Sequence, residues 1–114
     1  MTDTIPELQA IISVLEDVKG QDIRTLDVRE LTTITDYMVF CTGTSSRHVK
    51  SLAGHVIDEL KRAGARPAGV EGLDQGEWVL VDLGDVIVHL MQAQTRAHYQ
   101  LEKLWDISSP VEAH

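Results

Sequence analysis

Residues 78 to 91 constrain the fold more than any other stretch of this chain. Two runs rich in β-branched side chains, Trp78 to Leu83 and Val86 to Met91, flank the turn signal Asp82-Leu83-Gly84-Asp85, the pattern of an antiparallel hairpin. Alternation sends Val79, Val81, Val86 and Val88 to one side and Trp78, Leu80, Ile87 and His89 to the other. In the register this turn predicts, Val81 opposes Val86, Val79 opposes Val88, Leu80 opposes Ile87 and Trp78 opposes His89. The first side is wholly apolar and needs helices over it. The second mixes an aromatic, a histidine and the nearby Asp82, which suits a surface shared with a partner.

Helices are available. Residues 6 to 19 open with Pro6 and place Leu8, Ile11, Ile12, Leu15 and Val18 at helical spacing before Gly20. The hydroxyl-rich stretch Thr42-Gly43-Thr44-Ser45-Ser46 can cap a second helix, which then aligns Val49, Leu52, Ala53, Val56, Ile57 and Leu60 before Gly64. Ala97, Leu101, Leu104 and Trp105 predict a last helix of about three turns, and Ser108-Ser109-Pro110 ends regular structure. Further strands are expected at Ile23 to Val28, Tyr37 to Thr42 and Pro67 to Val70, the last followed by the polar loop from Glu71 to Gly76. The order α-β-β-α-β-β-β-α, with no repeat or linker, predicts one α/β domain over residues 1 to 114: a mixed five-stranded sheet with three helices. Five strands at ~4.8 Å span about 24 Å, so each face needs two or three helices. Three cannot cover both, and an apolar face left open marks a partner site or subunit interface.

Charge narrows the partner. Ten Lys and Arg stand against 18 Asp and Glu, a net charge of −8, which repels phosphate backbones and attracts basic surfaces. Direct nucleic-acid binding is therefore disfavoured. No signal peptide or apolar run of membrane-spanning length is visible, so a cytoplasmic protein is expected, with no membrane contact. The single cysteine, Cys41, lies in an apolar run and predicts a small buried strand residue.

Catalytic and metal signals are thin. The turn after Tyr37 to Thr42 lacks the Gly-Lys-Ser/Thr ending of a phosphate loop and the further glycines of a dinucleotide site. Asp82 and Asp85 could hold magnesium in a nucleotide-transferring enzyme that also used Gly43 and Ser45, yet their spacing spans a turn. His48 and His55 are seven residues apart on one helix, about 10.5 Å along its axis, too far to share a metal. No cofactor or metal is implied. Trp78 stands out instead: a tryptophan opening a strand on the mixed face, either a core aromatic or an interface anchor.

The segments Lys19-Gly20-Gln21-Asp22-Ile23, Thr35-Asp36-Tyr37-Met38-Val39, Cys41 to Val49, Glu71-Gly72, Trp78, Val81 to His89 and Tyr99 to Trp105 together resemble the ribosomal silencing factor (Iojap-like) family. The likeness runs from about residue 5 to 106. It implies a fold related to the nucleotidyltransferases, a protein usually homodimeric when free, and a partner in uL14, a basic protein of the large ribosomal subunit. Binding there would obstruct joining of the small subunit and repress translation without catalysis. The family's partner-facing positions fall on Trp78, Asp82, Leu83, Asp85, Val86, His89 and Met91, with Tyr99 beside them. Two other classes remain: the nucleotidyltransferase just described, and a self-associating module with no ribosomal contact.

Overall fold

The computed structural model describes residues 6–100 and Lys103. Helix α1 (Pro6–Asp17) leads into strand β1 (Gln21–Asp27) and strand β2 (Tyr37–Gly43). Helix α2 (Ser46–Arg62) precedes strands β3 (Gly69–Glu71), β4 (Trp78–Asp82) and β5 (Val86–Gln92), and helix α3 (Ala93–Tyr99) follows. The strands form one sheet in the order β1-β2-β5-β4-β3. Only β2 and β5 run parallel; β1/β2, β4/β5 and β3/β4 are antiparallel. The sheet is therefore mixed and five-stranded, as predicted.

Helices α1 and α2 share one face. Leu8, Ile11 and Leu15 of α1 and Val49, Leu52, Ala53 and Val56 of α2 enclose Val39 and Cys41 of β2, Val79 and Val81 of β4, and Val86, Val88 and Leu90 of β5. Strands buried this completely read as near-continuous apolar runs, which is why β2 and β5 show no clean alternation. Ser45 caps α2, its Oγ accepting the His48 N–H at 3.1 Å. Thr44 N–H donates to Nδ1 of His48 at 2.8 Å, and Nε2 of the same ring lies 2.8 Å from the Val18 carbonyl, tying this turn to the end of α1. A Cβ on Gly43 would come within 2.7 Å of Val49 Cγ2. The glycine and hydroxyls thus serve helix capping and close packing.

Three expectations need correction. The hairpin pairs Val81 with Val88, Val79 with Leu90, Leu80 with His89 and Trp78 with Met91, two residues away from the predicted register. Its loop is Gly84-Asp85, closed by Leu83 N–H to Val86 O at 2.8 Å, with Gly84 at φ +91°. Glycine takes that φ at no steric cost, so it sits first in the loop rather than last. A shift of two preserves the faces. Helix α3 begins at once after β5 and ends at Tyr99, capped by Gln100 in a left-handed conformation. The expected helix thus starts earlier and is broken at Gln100, while Lys103 beyond the break is again helical. Ala97 lies in α3, whereas Leu101, Leu104 and Trp105 fall outside the described residues.

The third correction concerns the face expected to lie open. Over its middle strands it is closed: Leu26, Val28, Met38, Phe40, Ile87 and Met91 form a second buried cluster. Among the described residues, α3 folds back onto one end of this layer. Arg96 holds α3 there, its Nη1 donating to the Asp22 carbonyl at 2.7 Å and to Thr42 Oγ1 at 2.8 Å.

Candidate docking surface

The sheet register builds the site row by row. Arg24, Phe40, His89 and Leu80 lie across four strands in one row, and Thr42, Met91 and Trp78 in the next. Phe40 stacks on the His89 imidazole, centroids 4.8 Å apart and planes 8° from parallel. The Trp78 indole N–H donates to Nδ1 of His89 at 3.1 Å. An indole nitrogen only donates, so Nδ1 is the unprotonated ring nitrogen in this contact. Trp78 in turn meets Tyr99 of α3, centroids 5.0 Å apart. Exposure rises along this aromatic row: Phe40 0% and His89 4%, Trp78 half-buried, Tyr99 56%.

On β4 the residues Trp78, Leu80 and Asp82 alternate onto this face, and all three are half-buried. They form a stripe about 13 Å long at ~3.3 Å per residue. At its far end stands the hairpin tip. Asp82 Oδ1 accepts the Gly84 N–H at 2.9 Å, pinning the turn. The Asp85 carbonyl accepts N–H bonds from Asp36 and Tyr37, both at 3.0 Å, so the tip is bound to the loop before β2. The tip is also acidic. Partial burial, helped by the Asp85 charge, pushes the Glu7 carboxyl above its ordinary range.

The eight sequence-predicted positions therefore separate. Trp78 and Tyr99 carry accessible aromatic surface, while Asp82, Leu83 and Asp85 make the tip. His89 and Met91 lie buried beneath the stripe. Val86 points to the opposite side, fully buried against the helices. These last three can influence a partner only by holding their neighbours in place. Alternation had already put Leu80, midway along the stripe, on the mixed face, though not among the partner-facing positions; Phe40, the support of His89, was passed over. It also passed over Leu31, 38% exposed, and Ile34, 70% exposed, in the loop bonded to the tip. Parity with Trp78 was the signal for Leu80; Ile34 sits in a loop with no periodicity to betray it.

Little here favours covalent or metal chemistry. Burial pushes the Cys41 thiol up to about 11, so it stays protonated. Among the described residues no group of three or more His, Cys, Asp and Glu is placed to hold a metal ion, and none of their helices is long and apolar enough to cross a membrane.

Fold and surface together define a small mixed-sheet α/β protein with an aromatic stretch on one sheet face that runs into an acidic hairpin tip. The chain belongs to the family described as ribosomal silencing factor during starvation, which matches residues 2–114. It is 48% identical over 98 residues to the ribosomal silencing factor of Haemophilus influenzae, covering 86% of this chain and 96% of that protein. A crystal structure of a Chromobacterium violaceum protein superposes with a TM-score of 0.86 at 47% identity, covering 88% of this chain and 83% of the other. A more distant relative, a mouse protein named for mitochondrial assembly of the ribosomal large subunit, is 33% identical over 106 residues, covering 90% of this chain and 46% of its own length.

Proposed function

We propose that this protein represses translation by docking on uL14 of the large ribosomal subunit and keeping the small subunit from joining. The observation that carries this reading is the acidic tip formed by Glu7, Asp82 and Asp85 at the end of the Trp78–Leu80–Asp82 stripe. A basic partner is drawn to the tip and a desolvated aromatic anchors it, the usual division between charges that steer and a hot spot that holds. Family membership supplies the ribosomal setting, and the mouse relative's name points to the large subunit. A body of 38 × 32 × 22 Å on the joining face is thick enough to hold two apposed subunits apart. In this reading the free protein is a cytoplasmic homodimer and acts without a cofactor.

The test is co-sedimentation with purified large subunits, repeated with isolated uL14. Binding to both, with none to small subunits, is the expected result. Binding to large subunits but not to isolated uL14 would move the docking site elsewhere, and no binding to either would end this reading.

A further inference from the structure

At the C-terminal end of α2 the chain gathers cations against the trend of the molecule. Lys61 and Arg62 close the helix and Arg66 follows in the turn toward β3, three of the chain's ten Lys and Arg. Arg62 is ion-paired with Glu59 at 3.1 Å. The side chains of Lys61 and Arg66 make no hydrogen bond or ion pair with any described residue. Both are exposed, and both line an open groove of about 700 Å³ whose floor is Ile57, Pro67 and Val70. Complementing the helix dipole accounts for cations in the last turn. It does not account for Arg66, which lies beyond the cap at Ala63, or for an apolar floor between two unpaired charges.

The groove borders the hairpin tip. Ala68 N–H bonds the Asp82 carbonyl at 2.6 Å, and Gly69 pairs with Asp82 across β3 and β4. The groove thus opens at the Asp82 end of the sheet, on the α2 side, around the edge from the Trp78–Leu80–Asp82 stripe. We infer that the groove receives the phosphodiester backbone of ribosomal RNA beside the protein partner, an assignment that rests on the docking function proposed above. The large subunit offers two chemistries, basic proteins and RNA phosphates. A basic protein is attracted by Glu7, Asp82 and Asp85 and repelled by Lys61 and Arg66; phosphate reverses both preferences. Riboses and base faces are apolar enough to lie on Ile57, Pro67 and Val70 while phosphates reach the rim. The overall charge of −8 does not forbid this, because at physiological salt a charge is felt over only about 8 Å, so contact is decided locally.

The experiment compares wild type with the double variant Lys61→Gln, Arg66→Gln, whose exposed sites should leave the protein folded, with only a small fall in melting temperature from the charge lost at the end of α2. Binding is measured to purified large subunits between about 50 and about 200 mM salt, and to isolated uL14 free of RNA. The variant is expected to lose about tenfold affinity for the large subunit at the lower salt, with a log–log salt slope shallower by about one to two units. Its binding to isolated uL14 should not change. Equal losses on isolated uL14 would overturn the RNA assignment and make the groove's partner an acidic stretch of protein. Unchanged binding to both would overturn it altogether. Failure of the docking function itself shows earlier and separately, as a wild type that binds neither target, and takes this assignment with it.

Discussion

Trp78 is held by two unlike contacts, a hydrogen bond from its indole to His89 and a ring contact with Tyr99. The first fixes its orientation from below; the second leaves its edge at the surface. Trp78→Ala is expected to weaken large-subunit binding by about 2 kcal/mol, near thirtyfold, since an anchor loses buried area and packing together. Equilibrium binding of a variant shown by circular dichroism to be folded checks this, and unchanged affinity would make Trp78 a core residue. Trp78→Phe keeps a ring but drops the indole N–H, and should fall between the two. Cys41 gives a contrasting expectation. With its thiol raised to about 11 from an ordinary 9.0, it should resist alkylation at pH 8 until the protein unfolds. Between those two values the unfolded chain releases a proton that the folded one retains, so stability falls as pH rises through that window. At this scale the sequence exposed rarity and parity, which is how Trp78 was legible. It could not expose Phe40 as the support of His89, because a stack across β2 and β5 depends on strand order, not spacing.

The hairpin tip is the element on which the electrostatic account stands. Asp82→Lys together with Asp85→Lys should slow association with the large subunit, more so at low salt, because charges at an interface rim act mainly on encounter. Stopped-flow mixing at two ionic strengths measures it; a variant rate equal to wild type at low salt would refute steering by the tip. Glu7 adds a signed prediction. Its pKa is raised by burial and then by Asp85, so its stabilising preference for the proton is present below the ordinary carboxylate range and lost as pH rises. Glu7→Gln should therefore raise the melting temperature at neutral pH and give no gain near pH 3. The elements themselves were largely legible. Buried positions of α1 and α2 fall where helical spacing put them, and Ser45 caps α2 as its hydroxyl implied. The hairpin register was not, because Asp82, Leu83, Gly84 and Asp85 all tolerate turns, and only the positive φ of Gly84 decides which two form the loop. The last helix starts earlier than expected because nothing between Met91 and Ala93 signals a break, and the chain passes from β5 into α3 without a connector.

At the scale of the whole molecule, counting helices against strands foresaw that three helices could not cover both sheet faces, and α1 and α2 do share one of them. It did not foresee that the middle of the other face would be buried, with the β4 stripe, the tip and the loop of Leu31 and Ile34 the apolar and acidic surface left accessible beside it among the described residues. A surface so confined acts by position rather than by reshaping what it touches. If the protein occupies the joining face of the large subunit, it competes with the small subunit for one state of an equilibrium and stabilises only the free large subunit by mass action. The order of addition then decides the outcome. Protein added to large subunits before small subunits should abolish the light-scattering rise of association. Added after joining, it should act only as fast as whole ribosomes spontaneously dissociate. Equal, rapid splitting in both orders would replace steric exclusion with active dissociation, and no effect in either order would remove the repressor function. Running the same two orders with Trp78→Ala separates block from bystander: the variant should need about thirtyfold more protein for the same inhibition in the first order, while the dissociation-limited rate in the second, a property of the ribosome, should not move.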